Sequence, residues 1–335
     1  MVKVATWLLV GSLLMACSGK SFDVGGTDGG SFAQSCTDRA TQFCARLATC
    51  SPGRLQTDWG DQPTCVSRQT ENCNSSVALS GTGNTATSVE ACAQAFAGWA
   101  CGDFLDDTNV PQACQQVTGS MASGAACQAP GQCTTGFCAI VPGAECGVCA
   151  AAPVAGDSCA ALTTCGQGLD CTTDTHVCVV LGGSGAACGK GAPCGALFDC
   201  VGSDSATGAM GTCQTSISTS GTTCDPDSKT GPACDRNSLL ACNTQTKQCA
   251  AMTIATGGQP CGTNVVMDQT VLCSAHGTCA SATSTAAGTC TAAAADGAAC
   301  DLVDGPPCLD NSRCIETSDA SSVGTCQQLN PIACP

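Results

Sequence analysis

Gly156-Asp157-Ser158-Cys159-Ala160-Ala161-Leu162-Thr163-Thr164-Cys165-Gly166-Gln167-Gly168-Leu169-Asp170-Cys171-Thr172-Thr173-Asp174-Thr175-His176-Val177-Cys178 sets four cysteines behind a Gly-x-x-Cys opener. The opener recurs at Gly124/Cys127, Gly156/Cys159, Gly185/Cys188, Gly221/Cys224, Gly258/Cys261 and Gly297/Cys300. Each begins a set of four: Cys127, Cys133, Cys138, Cys146; Cys159, Cys165, Cys171, Cys178; Cys188, Cys194, Cys200, Cys213. The other three sets are Cys224, Cys234, Cys242, Cys249; Cys261, Cys273, Cys279, Cys290; and Cys300, Cys308, Cys314, Cys326, with Cys149 and Cys334 left outside. The opening cysteines are 32, 29, 36, 37 and 39 residues apart, which describes tandem modules with loops of variable length. Their approximate spans are 124–155, 156–184, 185–220, 221–257, 258–296 and 297–335, within a region that starts at 121.

These modules hold two aromatic residues, Phe137 and Phe198. The whole chain of 335 residues has 35 Cys, 7 Phe, 3 Trp and no Tyr. Units this small cannot bury enough surface to offset chain entropy, so cross-links must supply the stability. A bridge closing about 15 residues contributes roughly 3 kcal/mol in the chain-entropy model. Four cysteines allow three connectivities. First-to-third with second-to-fourth is the expected one, although spacing alone does not select it. Gly- and Thr-rich segments between the cysteines predict short hairpins and irregular loops.

Upstream, Lys3 precedes an apolar run from Val4 to Met15, and Leu14-Met15-Ala16-Cys17 follows. The run is too short to span a bilayer. It resembles a bacterial lipoprotein signal peptide, residues 1–16, whose lipobox implies cleavage before Cys17 and acylation of that residue. Several acyl chains would anchor the protein to membrane lipid. Ser18, in place of the aspartate that favours inner-membrane retention in that family, implies the outer membrane. Residues 17–33, the acylated cysteine and a Gly-rich stretch, read as a flexible tether. Consuming Cys17 leaves 34 cysteines, an even number that export to an oxidising compartment turns into an expectation of full pairing. The chain carries a formal charge of −15, which repels phosphate backbones, so no nucleic-acid partner is expected.

Residues 34–120 differ in texture. Cys36, Cys44, Cys50, Cys65, Cys73, Cys92, Cys101 and Cys114 lie among most of the aromatics. Cys36, Ala40, Phe43, Cys44, Leu47 and Cys50 fall on one helical face. A second helix is expected around Cys65–Cys73 after Pro63, and a third after a capping box at Thr87-Ser88-Val89-Glu90. Phe43, Phe96, Trp99 and Phe104 are the expected core; a ligand pocket is the alternative use of this stripe. The fold class is therefore a small disulfide-linked α-helical domain followed by tandem disulfide-rich modules, mostly irregular with short β-hairpins.

The Gly-x-x-Cys opener, the five-residue gap between the first two cysteines of three units and endings such as Gly168-Leu169-Asp170-Cys171 resemble the Dickkopf N-terminal cysteine-rich repeat as found in bacteria. The full layout is similar to cysteine-rich outer-membrane lipoproteins of myxobacterial type. That resemblance implies a surface protein and carries no biochemical activity with it.

Chemical motifs are scarce. The Cys146-Gly147-Val148-Cys149 pair lacks the strand–helix context that lowers a thiol pKa, so it reads as structural. His176 and His276 occupy non-equivalent places in their modules and read as solvated loop residues. The chain has no HExxH, GxSxG, phosphate loop or GxGxxG pattern, so no catalysis, cofactor or metal is expected. Asp225 with Asp227, or Asp301, Asp304 and Asp310, could offer oxygen ligands to calcium, without matching an EF-hand. Asn74-Ser75-Ser76 matches a glycosylation acceptor that a bacterium would leave unused. The expected function is a lipid-anchored structural or interaction scaffold, a stalk or a surface that engages another surface protein or a glycan. A small-molecule or calcium-binding envelope protein is the alternative.

Overall fold

The computed structural model describes residues 31–162, 164–266, 269–283, 286–303, 305–316, 322–328 and 334. Helix α1 (Phe32–Cys50) opens on Ser31, whose side chain accepts from the Gln34 N–H, and buries Cys36, Ala40, Cys44, Leu47 and Cys50, the face its spacing predicts. A single turn, α2 (Pro52–Arg54), and a π-helical turn over Leu55–Trp59 lead to α3 (Gln62–Ala78), capped by Asp61 with Pro63 in its first turn. Cys36–Cys73 and Cys44–Cys65 staple α1 to α3 antiparallel, the first joining the start of α1 to the later half of α3 and the second the later half of α1 to the first turn of α3. Helix α4 (Ala86–Ala95) begins two residues earlier than its expected capping box. Thr85 and Ser88 cap each other, Thr85 Oγ1 accepting from Ser88 N–H at 3.0 Å and Ser88 Oγ from Thr85 N–H at 2.9 Å. The preceding loop is already fixed, because Gly83 N–H donates to the Gly131 carbonyl, so extended Thr85 is the residue placed to cap. Helix α5 (Cys101–Leu105) follows; Cys50–Cys101 and Cys92–Cys114 complete this region's bridges.

Its interior is aromatic. Phe43, Phe96, Trp99 and Phe104 contact one another at ring-centroid distances of 5.4–6.1 Å, largely edge to face. Leu55 and Trp59, which the sequence reading left out of the core, are buried with them. The rings pack on one another, so the four aromatics build a core, as expected.

Every later module folds on the same plan. The third and fourth cysteines lie opposite each other in a hairpin: Cys138 with Cys149, Cys171 with Cys178, Cys200 with Cys213, Cys242 with Cys249, Cys279 with Cys290, Cys314 with Cys326. They nonetheless bond elsewhere, first to third and second to fourth, as expected. In the first module Cys127 joins Cys138 and Cys133 joins Cys149, so Cys149, not Cys146, is the fourth cysteine there. The strand bearing the fourth cysteine is central, flanked by those bearing the third and, in four modules, the first.

Two backbone bonds weld each opener to this strand. The N–H of Gly124, Gly156, Gly185, Gly221, Gly258 and Gly297 donates to the carbonyl of the fourth cysteine at 2.7–2.8 Å, and that cysteine's N–H donates to the residue after the glycine at 2.8–2.9 Å. All six glycines hold φ between +79° and +95°, a conformation that costs L side chains. The interior of a module is its own sulfur: the buried clusters of modules 4, 5 and 6 consist mainly of cysteines, and the cluster of module 1 of cysteines alone, with Met121 and Ile140 beside it.

The modules do not extend as a stalk. Each docks on the helical region: Gly131 of module 1 on Gly83, Gln167 of module 2 on the Asp107 carboxyl, Ala196 of module 3 on the Asp106 carboxylate. Asn237 of module 4 meets Ser51, Ala275 and His276 of module 5 meet Gln56 and Thr57, and module 6 receives Arg68. The array encircles a helical hub and closes on itself, because Cys146 of module 1 is bonded to Cys334, across 188 residues.

Candidate functional site

Closure brings the first and last modules together. Arg313 Nη2–H donates to the Gln128 carbonyl at 3.4 Å and Glu316 N–H to the Gly143 carbonyl at 3.3 Å, both long. Cys146–Cys334 is the covalent tie across this seam. Beside it lies a cleft of about 790 Å³ whose apolar wall includes Phe137, Ile140, Val141, Leu162, Leu302 and Pro307. Val141 and Leu302 are among the few large hydrophobic side chains exposed among the described residues. Asp107, Asp301 and Arg313 add charge of both signs to its lining, and His276 an imidazole ring. Withdrawal from water lowers the Arg313 pKa, partly opposed by Glu145.

A second polar assembly locks module 6 to the hub. Arg68, nearly buried, forks onto Asp296 through Nη1 at 3.0 Å and Nη2 at 3.1 Å, and also donates to the Asp310 carbonyl and to Ser312 Oγ. The Arg68 hydrogen bond holds the Asp296 carboxyl below the ordinary carboxylate range. Asp310 is pushed the other way by burial, with Asp58 nearby adding to the effect. Nothing in the local sequence marks Arg68; a cation in a helix reads as a solvated side chain until its distant partners are known.

The residues singled out by sequence fall as follows. Cys17 and the tether to residue 30 lie outside the described residues, as does Asp304. The Cys146-x-x-Cys149 thiols are bonded to different partners, and not to each other. His276 is exposed but not a free loop residue: its N–H donates to the Thr57 carbonyl and its Nδ1 lies 2.9 Å from the Cys308 carbonyl, tying module 5 to the hub and to module 6. His176 caps a hairpin at φ +50°, a post that Lys247 fills in module 4 at φ +54°, so the modules do place it in register with a counterpart. Asp225 is spent internally, accepting from the N–H groups of Asp227, Lys229 and Thr230 and from the Thr230 hydroxyl. These bonds hold its carboxyl down to about 2 and leave its lone pairs facing donors, the reverse of a calcium site. Asp301 accepts from Val303 N–H and Asp310 from Asn311 N–H. Triples of cysteine sulfurs within 4.8 Å, such as Cys127, Cys133 and Cys138, are disulfide-bonded and offer no thiolate to a metal.

Sequence reading missed a second glycine. Gly147, Gly211, Gly288 and Gly324 stand two residues before the fourth cysteine and opposite the first. A Cβ there would lie 2.2–2.4 Å from the carbonyl of Ala139, Val201, Ala280 or Ile315. The Gly-x-Cys signal was present at Gly147-Val148-Cys149 and would have identified Cys149 as the fourth cysteine, leaving Cys146 for Cys334.

Comparison of the chain with protein-family models, with curated proteins and with solved structures found no match in any of the three. Among the described residues no helix is long and apolar enough to cross a membrane.

Proposed function

We propose that this is a non-catalytic, lipid-anchored outer-membrane protein of a bacterium, of the cysteine-rich, Dickkopf-like type, that binds another surface protein or a glycan through the seam cleft. The observation that carries the reading is the cysteine state: every cysteine from Cys36 onward is paired, in seventeen disulfides. Such a chain belongs in an oxidising compartment. Export agrees with the signal-peptide pattern that ends at Cys17. The scaffold offers a fixed, partly apolar cleft of a size that accommodates a ligand or a protruding segment. A small-molecule carrier is the second reading, favoured by the same volume.

The test is intact mass and alkylation of protein taken from bacterial membranes, with Cys17→Ser beside it. Acyl mass on wild type, no alkylation before reduction and release of Cys17→Ser from the membrane are the expected results. Soluble wild type with no acyl mass would overturn the anchor. Stoichiometric retention of a small molecule in native mass spectra would favour the second reading.

A further inference from the structure

We propose that Cys146–Cys334 is the site at which an external dithiol acts on this protein, and that its reduction unlatches module 6 from module 1 and opens the cleft between them. The proposal rests on the reading of that cleft as the binding site and adds its regulation. The other sixteen disulfides each bury at least one cysteine; in this one both are only half-buried. The others also stay within the helical region or within one module, whereas this one alone joins the two ends of the array. Exposed bridges are the ones open to exchange, because the attacking thiolate must reach a sulfur along the S–S axis.

The remaining contacts across the seam make this bridge decisive. Among the described residues two long hydrogen bonds, from Arg313 to Gln128 and from Glu316 to Gly143, span modules 1 and 6, with the attraction of Arg313 to Glu145 and a 3.7 Å contact of Cys334 Sγ with the Cys127 carbonyl beside them. Behind the seam, the Arg68–Asp296 fork keeps module 6 on the hub without help from the latch. Each module also keeps its own two disulfides. Breaking the bridge therefore loosens the cleft wall without unfolding what carries it.

The chemistry balances with a dithiol as reductant. One thiolate of the dithiol attacks a sulfur of the pair, the S–S bond breaks, and the other sulfur leaves as a thiolate that takes up a proton. The second thiol of the dithiol then displaces the mixed disulfide and releases the second cysteine. The dithiol is oxidised to its disulfide by two electrons, and Cys146 and Cys334 end as two thiols.

The experiment is graded reduction of the native full chain by dithiothreitol, an alkylating quench, peptide mapping, and hydrogen exchange on the same samples. Cys146 and Cys334 should be labelled at least about tenfold sooner than any other cysteine. At that stage circular dichroism should be unchanged, and exchange should rise at the amides of residues 140–144 and 312–316. The double variant Cys146→Ser/Cys334→Ser, which needs no reductant, should show the same exchange pattern. Simultaneous labelling of many cysteines would overturn the site; selective labelling with unchanged exchange, in both wild type and variant, would overturn the latch. An apolar dye, bis-ANS, separates this from the parent reading: no binding in either redox state would sink the cleft as a binding site while leaving the exchange result standing.

Discussion

Gly221→Ala isolates one backbone requirement, since a methyl group at Gly221 meets nothing within 4 Å and the cost is that of φ +79° alone. A loss of about 1–2 kcal/mol is expected in urea unfolding with the disulfides intact. Gly324→Ala should cost more, about 3 kcal/mol, because its Cβ would lie 2.2 Å from the Ile315 carbonyl and the central strand must shift. The order of the two variants checks the two physical roles of glycine. Arg68→Ala takes the side-chain donor from the Asp310 carbonyl and two donors from the Asp296 carboxylate, which keeps the Ser312 hydroxyl. Since the Asp296 side chain is 41% exposed, the expected loss is about 2–3 kcal/mol, below that of a wholly buried pair. The sign with pH follows from the lowered Asp296 pKa: the contribution is complete above the unfolded carboxyl value near 3.9 and disappears as pH falls through the lower folded one. Carboxyl NMR titration should likewise find Asp225 at about 2, set by its three backbone donors and one hydroxyl. The opening glycines were legible in the sequence because φ is a local property. Arg68 and Gly53 were not, because their neighbours lie roughly two hundred residues away, a Cβ on Gly53 falling 2.3 Å from the Arg236 carbonyl; the second glycines face carbonyls only eight to ten residues off and carried a local Gly-x-Cys signal.

At the level of elements, modules 2 and 4 replace the second glycine by His176 and Lys247, and their hairpins are alike bond for bond. Thr172 N–H donates to Val177 and His176 N–H to Thr172, matched by Asn243 to Gln248 and Lys247 to Asn243. Both residues carry positive φ on a side chain that resists it. His176→Gly and Lys247→Gly should therefore raise the thermal midpoint slightly, by about 0.5–1 kcal/mol in stability, while Gly147→Ala in module 1 lowers it. A fall for all three would remove this account of the two hairpin types. The α1 and α3 boundaries were readable because Cys spacing, Pro63 and Asp61 are local signals. The start of α4 was not: Thr85 and Thr87 can each cap, and the contact of Gly83 with Gly131 chooses between them. Hairpins were expected in the modules, but their order, with the last strand in the middle, depends on pairing of the first strand with the last, between residues 20 to 29 apart in the chain.

For the whole molecule, hub docking and ring closure predict a compact particle. Small-angle scattering should give a radius of gyration of about 20 Å for roughly 300 folded residues, whereas a run of six modules in line would be far longer. Heating should leave the fold intact until a reductant is added, because the modules hold little apolar core beyond their sulfurs; a fully reduced protein with an unchanged circular dichroism spectrum would sink that expectation. The sequence by itself determined the number of modules, the opening glycine of each and the helical face of α1, since repeats and periodicity are written along the chain, and its even cysteine count behind an export-type leader made full pairing an expectation. Tertiary structure alone decided that the modules surround the hub, that Cys146 belongs to Cys334, that Asp225 faces donors instead of a cation, and that the seam encloses a cleft. Each of those depends on which distant surfaces meet, and a chain whose cysteines all look alike carries no local mark of the partner it will find.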